Sequence, residues 1–104
     1  VAKTIIEEVI TLATCEDIGL KIPEGAELIN VRYISPVKAV LTFIADVERP
    51  LERVHLVDRV PNEQVLVHVY PYYVGSVNSG VLQFHLFSDR PLDPYNPRHY
   101  TNAQ

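Results

Sequence analysis

The stretch from Tyr72 to Ser88, YYVGSVNSGVLQFHLFS, reads as a β-hairpin with its turn chemistry in place. Asn78, Ser79 and Gly80 separate two apolar runs, and a three-residue hairpin loop places its left-handed residue third, where glycine avoids the Cβ clash. Pairing outward from this loop sets Val77 opposite Val81, Gly75 opposite Gln83, Val74 opposite Phe84 and Tyr73 opposite His85. Side chains alternate across a strand. Tyr72, Val74, Leu82, Phe84 and Leu86 are therefore expected on the core face, and Tyr73, Gln83, His85 and Phe87 on the other.

Upstream of the hairpin, Pro23, Pro36, Pro50, Pro61 and Pro71 leave only strand-sized intervals, so long helices are not expected after residue 22. Lys21 to Ala26, KIPEGA, reads as an extended piece turning at Pro23-Glu24-Gly25. A strand follows over Glu27 to Ile34, with Ile29, Val31 and Tyr33 as its buried face. The strongest period-two signal runs from Val37 to Val47, where Val37, Ala39, Leu41, Phe43, Ala45 and Val47 share one side. Val54, Leu56 and Val60 then alternate with Arg53, His55 and Arg59 as a half-exposed strand. Val65, Val67 and Val69 alternate with Leu66, His68 and Tyr70 as another. The first fourteen residues fit either a helical stripe of Ile5, Val9, Leu12 and Ala13 or a strand face of Ile6, Ile10 and Leu12. The β-branched run TIIEEVIT favours the strand. Short strands divided by turn signals predict an all-β fold, a small antiparallel β-sandwich or partly open barrel.

At 104 residues the chain is expected to form one domain. That β-domain is assigned residues 1–88. A Pro-rich C-terminal arm is assigned residues 89–104, DRPLDPYNPRHYTNAQ, which carries too much proline for a central strand. Tyr95, His99 and Tyr100 are its expected anchors. Nine basic against thirteen acidic residues give a formal charge of −4, which argues against nucleic acid as the partner, since phosphate binding needs a concentrated positive surface. Cys15 is the single cysteine, which excludes an intrachain disulfide and an all-cysteine zinc site and favours a cytosolic, thiol-compatible setting. Neither a membrane-spanning helix nor a secretory leader is legible, and Val1 fits a processed N-terminus.

Taken in order, KTIIEE, LKIPEGAELINV, AVLTFIAD, YYVGSV and VLQFHLF resemble a functionally uncharacterised family of short proteins encoded mainly by tailed phages and prophages. The family pattern is an N-terminal strand, an apolar-Pro-x-Gly-Ala turn into a strand, a central apolar strand, and a final hairpin ending aromatic-His-apolar-Phe. Ile22 to Ala26 match the turn and Phe84 to Phe87 the ending, within a resemblance covering residues 3–88. The matched positions are structural in kind, so the resemblance implies a fold before a function. Phe84 stands where the family favours Trp, and the arm after Ser88 lies outside the pattern.

Candidate chemistry is sparse. His55, His68, His85 and His99 show no spacing that presents two ligands together, although His68 and His85 could meet across strands. Ser76, Ser79 and Ser88 lie near His85 and Asp89 in sequence, so a Ser/His/Asp arrangement can be drawn, without the strained elbow that exposes a nucleophile. Glu7, Glu8, Glu16, Asp17, Glu24 and Glu27 read as a solvated acidic face, lacking the alternating ligands of a calcium loop. No catalytic residue, cofactor or metal site is therefore assigned. Six of the nine aromatic residues are tyrosines, whose apolar body and polar tip suit interfaces. Tyr70, Tyr72 and Tyr73, with Tyr95, His99 and Tyr100 of the arm, are the expected protein-contact residues. The segments 65–70 and 72–77 carry few charges that would blunt edge pairing, so self-association into a homo-oligomer is expected.

These features point to a non-enzymatic protein of the virion or host cytoplasm whose partner is another protein, the major capsid protein or itself, with no nucleic-acid or membrane partner. A virion accessory, decorating the capsid or joining head to tail, is the first expectation. A small effector that inhibits a host protein is the second, and a compact hydrolase or ligand-binding protein using His85 the third.

Overall fold

The computed structural model describes residues 2–12, 16–35, 37–80, 82–92 and 98–99, the last two by backbone alone. The fold is all-β, with two antiparallel sheets packed face to face in a small sandwich, and no helix occurs among the described residues. In chain order the strands are β1 (Thr4–Thr11), β2 (Ile18–Pro23), β3 (Glu27–Ser35), β4 (Lys38–Ala45), β5 (Leu51–Arg59), β6 (Tyr72–Asn78), β7 (Gln83–Ser88) and β8 (Arg98–His99). One sheet has the order β1-β4-β3 and the other β2-β5-β7-β6-β8.

The period-two signal of β4 becomes the centre of the smaller sheet. Ala39, Leu41, Phe43 and Ala45 face inward and are buried, and β1 and β3 flank them. Val37 and Val47, expected on the same face, are exposed because they lie beyond the strand's ends. The N-terminal residues form a strand, with Ile10 and Leu12 buried and Ile6 packed against the core. Ile5 and Val9 project outward. From the larger sheet, Leu20, Ile22, Val54, Leu56, Val77, Phe84 and Leu86 complete the core. The Pro23–Ala26 turn forms as read: the Ala26 N–H donates to the Pro23 carbonyl at 3.1 Å and Gly25 has φ 80°, the geometry of a type II turn.

Two bulges defeat simple alternation. Between Leu28 and Asn30 the register of β3 slips by one, so Leu28 turns to the core and Ile29, expected inside, is exposed; Val31 packs against the core as expected, and Tyr33, on the same face opposite Ala39, is 37% exposed near the end of the strand. In the closing hairpin the expected pairing is three residues out. Val77 lies opposite Phe84 and Asn78 opposite Gln83, because the Ser79 backbone and hydroxyl both bond to Leu82 and draw it into the turn, where it is exposed. Gly80 does take a positive φ, of 89°. The same register sets Ser76 opposite His85, and a bulge at Val74 then shifts it by one, so that Tyr73 faces Phe87. Its enabling residue is Gly75, whose φ of 153° is one that L-residues rarely adopt. Gly75→Ala should cost about 1–3 kcal/mol on chemical denaturation, whereas Gly80→Ala strains only an exposed turn and should cost less.

The segment 65–70 is not a strand. The Leu66 carbonyl accepts N–H groups from Val69 at 2.9 Å and Tyr70 at 2.8 Å, closing a turn. Alternation alone could not make it a strand there, since β5 is already paired on both edges, by β2 and β7. Past Ser88, Leu92 is buried and its carbonyl accepts the Leu28 N–H at 2.7 Å, and Arg98–His99 pair antiparallel with Tyr72–Tyr73. The segment 72–77, expected to offer a bare edge, thus carries β8 along its first two residues.

Candidate functional site

The outer side of the five-stranded sheet gathers most of the molecule's unusual side chains. On β5, Val54, Leu56 and Asp58 point inward, which leaves His55, Val57 and Arg59 on the outer side. Val57, beside Phe87 of β7, is nevertheless only 2% exposed. The segment 60–70 forms a strap that leaves the end of β5 and is tied down near both of its own ends, to Arg59 and to Asp17.

The strap opens with Val60-Pro61-Asn62-Glu63, in which the Glu63 N–H donates to the Val60 carbonyl at 3.1 Å and Asn62 adopts φ 80°. Proline second and asparagine third are the residues a type II turn selects. The Glu63 carboxylate accepts the Val60 N–H at 2.8 Å, and Arg59 Nε donates to the Gln64 carbonyl at 2.8 Å. At the far end Tyr70 donates its phenolic proton to Asp17 Oδ2 at 2.5 Å, while Asp17 Oδ1 lies 2.7 Å from His55 Nδ1. Between these anchors Leu66, Val67 and Val69 are 49%, 38% and 42% exposed. The result is a braced turn that presents apolar side chains to solvent.

Burial pushes the Asp17 carboxyl up, but the hydrogen bonds from Tyr70 and His55 and the charges of His55 and Arg53 outweigh it and hold the group below its ordinary value. Asp17 is then an acceptor only, so His55 carries a proton on Nδ1. Glycine at position 19 lets Arg53 approach: a Cβ there would lie 2.8 Å from the guanidinium. The hydrogen bond to Asp17, followed by burial, pushes Tyr70 up to about 12. Asp17, being depressed, stabilises the clamp above its ordinary value of 3.8 and loses that contribution as pH falls through its lower folded value. Tyr70, being raised, contributes fully below 10.0 and loses it as pH climbs towards 12. The Asp17 side chain is 40% exposed and that of His55 39%, so their contact contributes no more than about 1 kcal/mol. Tyr70→Phe should therefore change global stability by less than about 1 kcal/mol yet speed limited proteolysis within 60–70 several-fold at neutral pH. The unsubstituted protein should show the same loosening only in strong acid or strong base.

Beside the strap, Tyr73 Oη is 3.0 Å from His85 Nδ1 and its ring meets Phe87 edge-on at 5.4 Å. His85 and Tyr73 are neighbours as expected, through the Val74 bulge and not through direct opposition. Of the six contact residues read from the sequence, Tyr70, Tyr72 and Tyr73 are described, Tyr72 and Tyr73 pair with the backbone of β8, and Tyr70 serves the strap. His99 is placed opposite Tyr72 by backbone only, and Tyr95 and Tyr100 lie outside the described residues. The Ser/His/Asp arrangement is not assembled. Ser88 is buried and donates to the Arg90 carbonyl, Ser79 bonds to Leu82, and Asp89 accepts the His55 backbone N–H at 3.0 Å. His68 sits exposed in the turn while His85 bonds to Tyr73. Several of the acidic residues are dispersed among separate contacts, Glu7, Glu24 and Glu27 in ion pairs with Arg32, Arg49 and Lys3, and Asp17 hydrogen-bonded to His55. Among the described residues no three potential ligands converge on a metal position.

What the sequence did not disclose is the Asp17–His55–Tyr70 clamp. Its members lie far apart in the chain, and no local spacing marks residues brought together by register. No protein-family model, curated protein or solved structure matches this chain.

Proposed function

We propose that the protein acts stoichiometrically through protein–protein contacts, as a phage-type virion accessory that decorates the capsid or joins head to tail, with the strap's apolar turn as its contact element. The observation that carries this reading is the exposure of Leu66, Val67 and Val69 on a turn braced at Gln64 and Tyr70. Exposed apolar side chains on a mobile segment would lose conformational entropy on binding. On a braced one that cost is met at folding, which favours recognition. The resemblance of KTIIEE, the IPEGA turn and the FHLF ending to short tailed-phage proteins supplies the setting.

An enzymatic reading has one observation in its favour, the carboxylate–imidazole pair of Asp17 and His55, the arrangement that orients a general base. Among the described residues no hydroxyl or thiol donates to the other ring nitrogen of His55, so the pair is better explained as the strap's anchor. Quantitative mass spectrometry of purified particles tests the proposal: many copies per particle are expected. Absence from particles, with retention on a host protein instead, would replace the virion role by that of a host-directed effector.

A further inference from the structure

Each of the two sheets ends in strands whose outer backbone groups need a partner or a deterrent. β2 carries Lys21 and ends at Pro23. β3 is bent by two register shifts, and the Leu28 N–H is already bonded to Leu92. β6 is covered at its start by β8. β1 differs from all three: its register with β4 is unbroken from Thr4 to Thr11, it contains no Pro, Gly or Lys, and no described strand pairs with its other edge. Ile5 is 65% and Val9 57% exposed on its outer side.

We propose that β1 is a self-association edge, pairing antiparallel with β1 of a second copy about a two-fold axis at Glu7, so that the two three-stranded sheets become one of six strands. A two-fold axis perpendicular to the sheet keeps outer side chains opposite outer ones, so it must pass through a residue position. Centring on Glu8 would set two inward-facing carboxylates together and Ile5 against Thr11. Centring on Glu7 sets Ile5 against the second copy's Val9, twice over. Within each copy Ile5 lies beside Ile44 and Val9 beside Val40, so the pairing makes two unbroken apolar rows running Ile44, Ile5, Val9, Val40 across the boundary. The two Glu7 carboxylates then meet on the solvent side, each with its own Arg32 guanidinium at 3.5 Å. The arrangement is isologous and closes as a dimer, leaving no further β1 edge for a third copy. It supplies the self-contact within the protein-contact reading and does not involve the strap, so the two fail separately.

Sedimentation equilibrium of the full chain should give a dimer at tens of micromolar, and Ile5→Lys combined with Val9→Lys should make it monomeric with an unchanged circular dichroism spectrum. Glu7→Gln should tighten the dimer several-fold, because like charges directly opposite on paired strands repel. In a Cys15→Ser background, Glu7→Cys should be joined into covalent dimers by a short bis-maleimide and Thr11→Cys should not. A monomer at every concentration, a dimer unaffected by the lysine pair, or cross-linking through Thr11→Cys in preference to Glu7→Cys would each overturn the assignment. Particle copy number plays no part in these outcomes, so loss of the virion reading leaves the dimer to stand or fall by itself.

Discussion

Replacing Phe43 with alanine should lower the free energy of unfolding by about 3–5 kcal/mol, the largest effect expected of any single truncation in this chain. Phe43 is fully buried at the middle of the central strand of the smaller sheet, opposite Ile6 of β1 on one side and Leu28 of β3 on the other. Both neighbouring strands are held in register by their own ladders, so they cannot collapse into the space left behind. The cost therefore includes the cavity as well as the lost transfer energy. A domain of this length has a total stability of roughly 5–15 kcal/mol, and the variant should retain only part of it. Urea titration should show a lower midpoint with an unchanged slope. A loss below about 1.5 kcal/mol would mean that β1 or β3 yields easily, which would also weaken the case for β1 as a firm pairing edge.

What the sequence disclosed and what it hid divide along a physical line. Alternation carries information only while the two-residue period is unbroken. It placed Ala39, Leu41, Phe43 and Ala45 correctly, and it placed Phe84 and Leu86 on the core face of β7. One inserted residue reverses it, so the bulge at Ile29 turned Ile29 outside and brought Leu28 in, while Val31 beyond it kept its inward face. The hairpin shows the same limit in another form. Asn78, Ser79 and Gly80 announced a turn, yet the Ser79 bonds to Leu82 fixed a different register, and nothing in the apolar pattern distinguishes the two. The run from Val65 to Tyr70 alternates as a strand should, but a strand also needs an edge to pair with, and β2 and β7 had taken both edges of β5. Turn chemistry fared better where side chain and φ are coupled directly, at Gly25. The clamp could not be read at all: Asp17 looked like one more carboxylate of an acidic first third, and only the fold sets it beside His55 and Tyr70.

That clamp gives the strap substitutions their expected asymmetry. Changing Leu66, Val67 and Val69 together to serine should leave the fold intact at a cost in stability of about 2–4 kcal/mol at most, because these residues are 49%, 38% and 42% exposed and only the covered half of each contributes to folding. The braces lie elsewhere, in the Val60–Glu63 turn, Arg59 and Tyr70, and should persist. If the turn is the contact element, the half of each side chain that remains in solvent is what a partner would bury, on the order of 2–4 kcal/mol for the three together. That is a thirty-fold or greater loss of affinity. Particles assembled with the triple variant should therefore carry at least tenfold fewer copies by quantitative mass spectrometry, while its circular dichroism spectrum at the assembly temperature matches that of the unsubstituted protein. Tyr70→Phe should fall between the two, since it keeps every apolar contact and removes only the brace. Full occupancy by the triple variant would move the contact surface off the strap. Loss of occupancy with Tyr70→Phe equal to that of the triple variant would mean that bracing, more than the apolar side chains themselves, is what the partner requires.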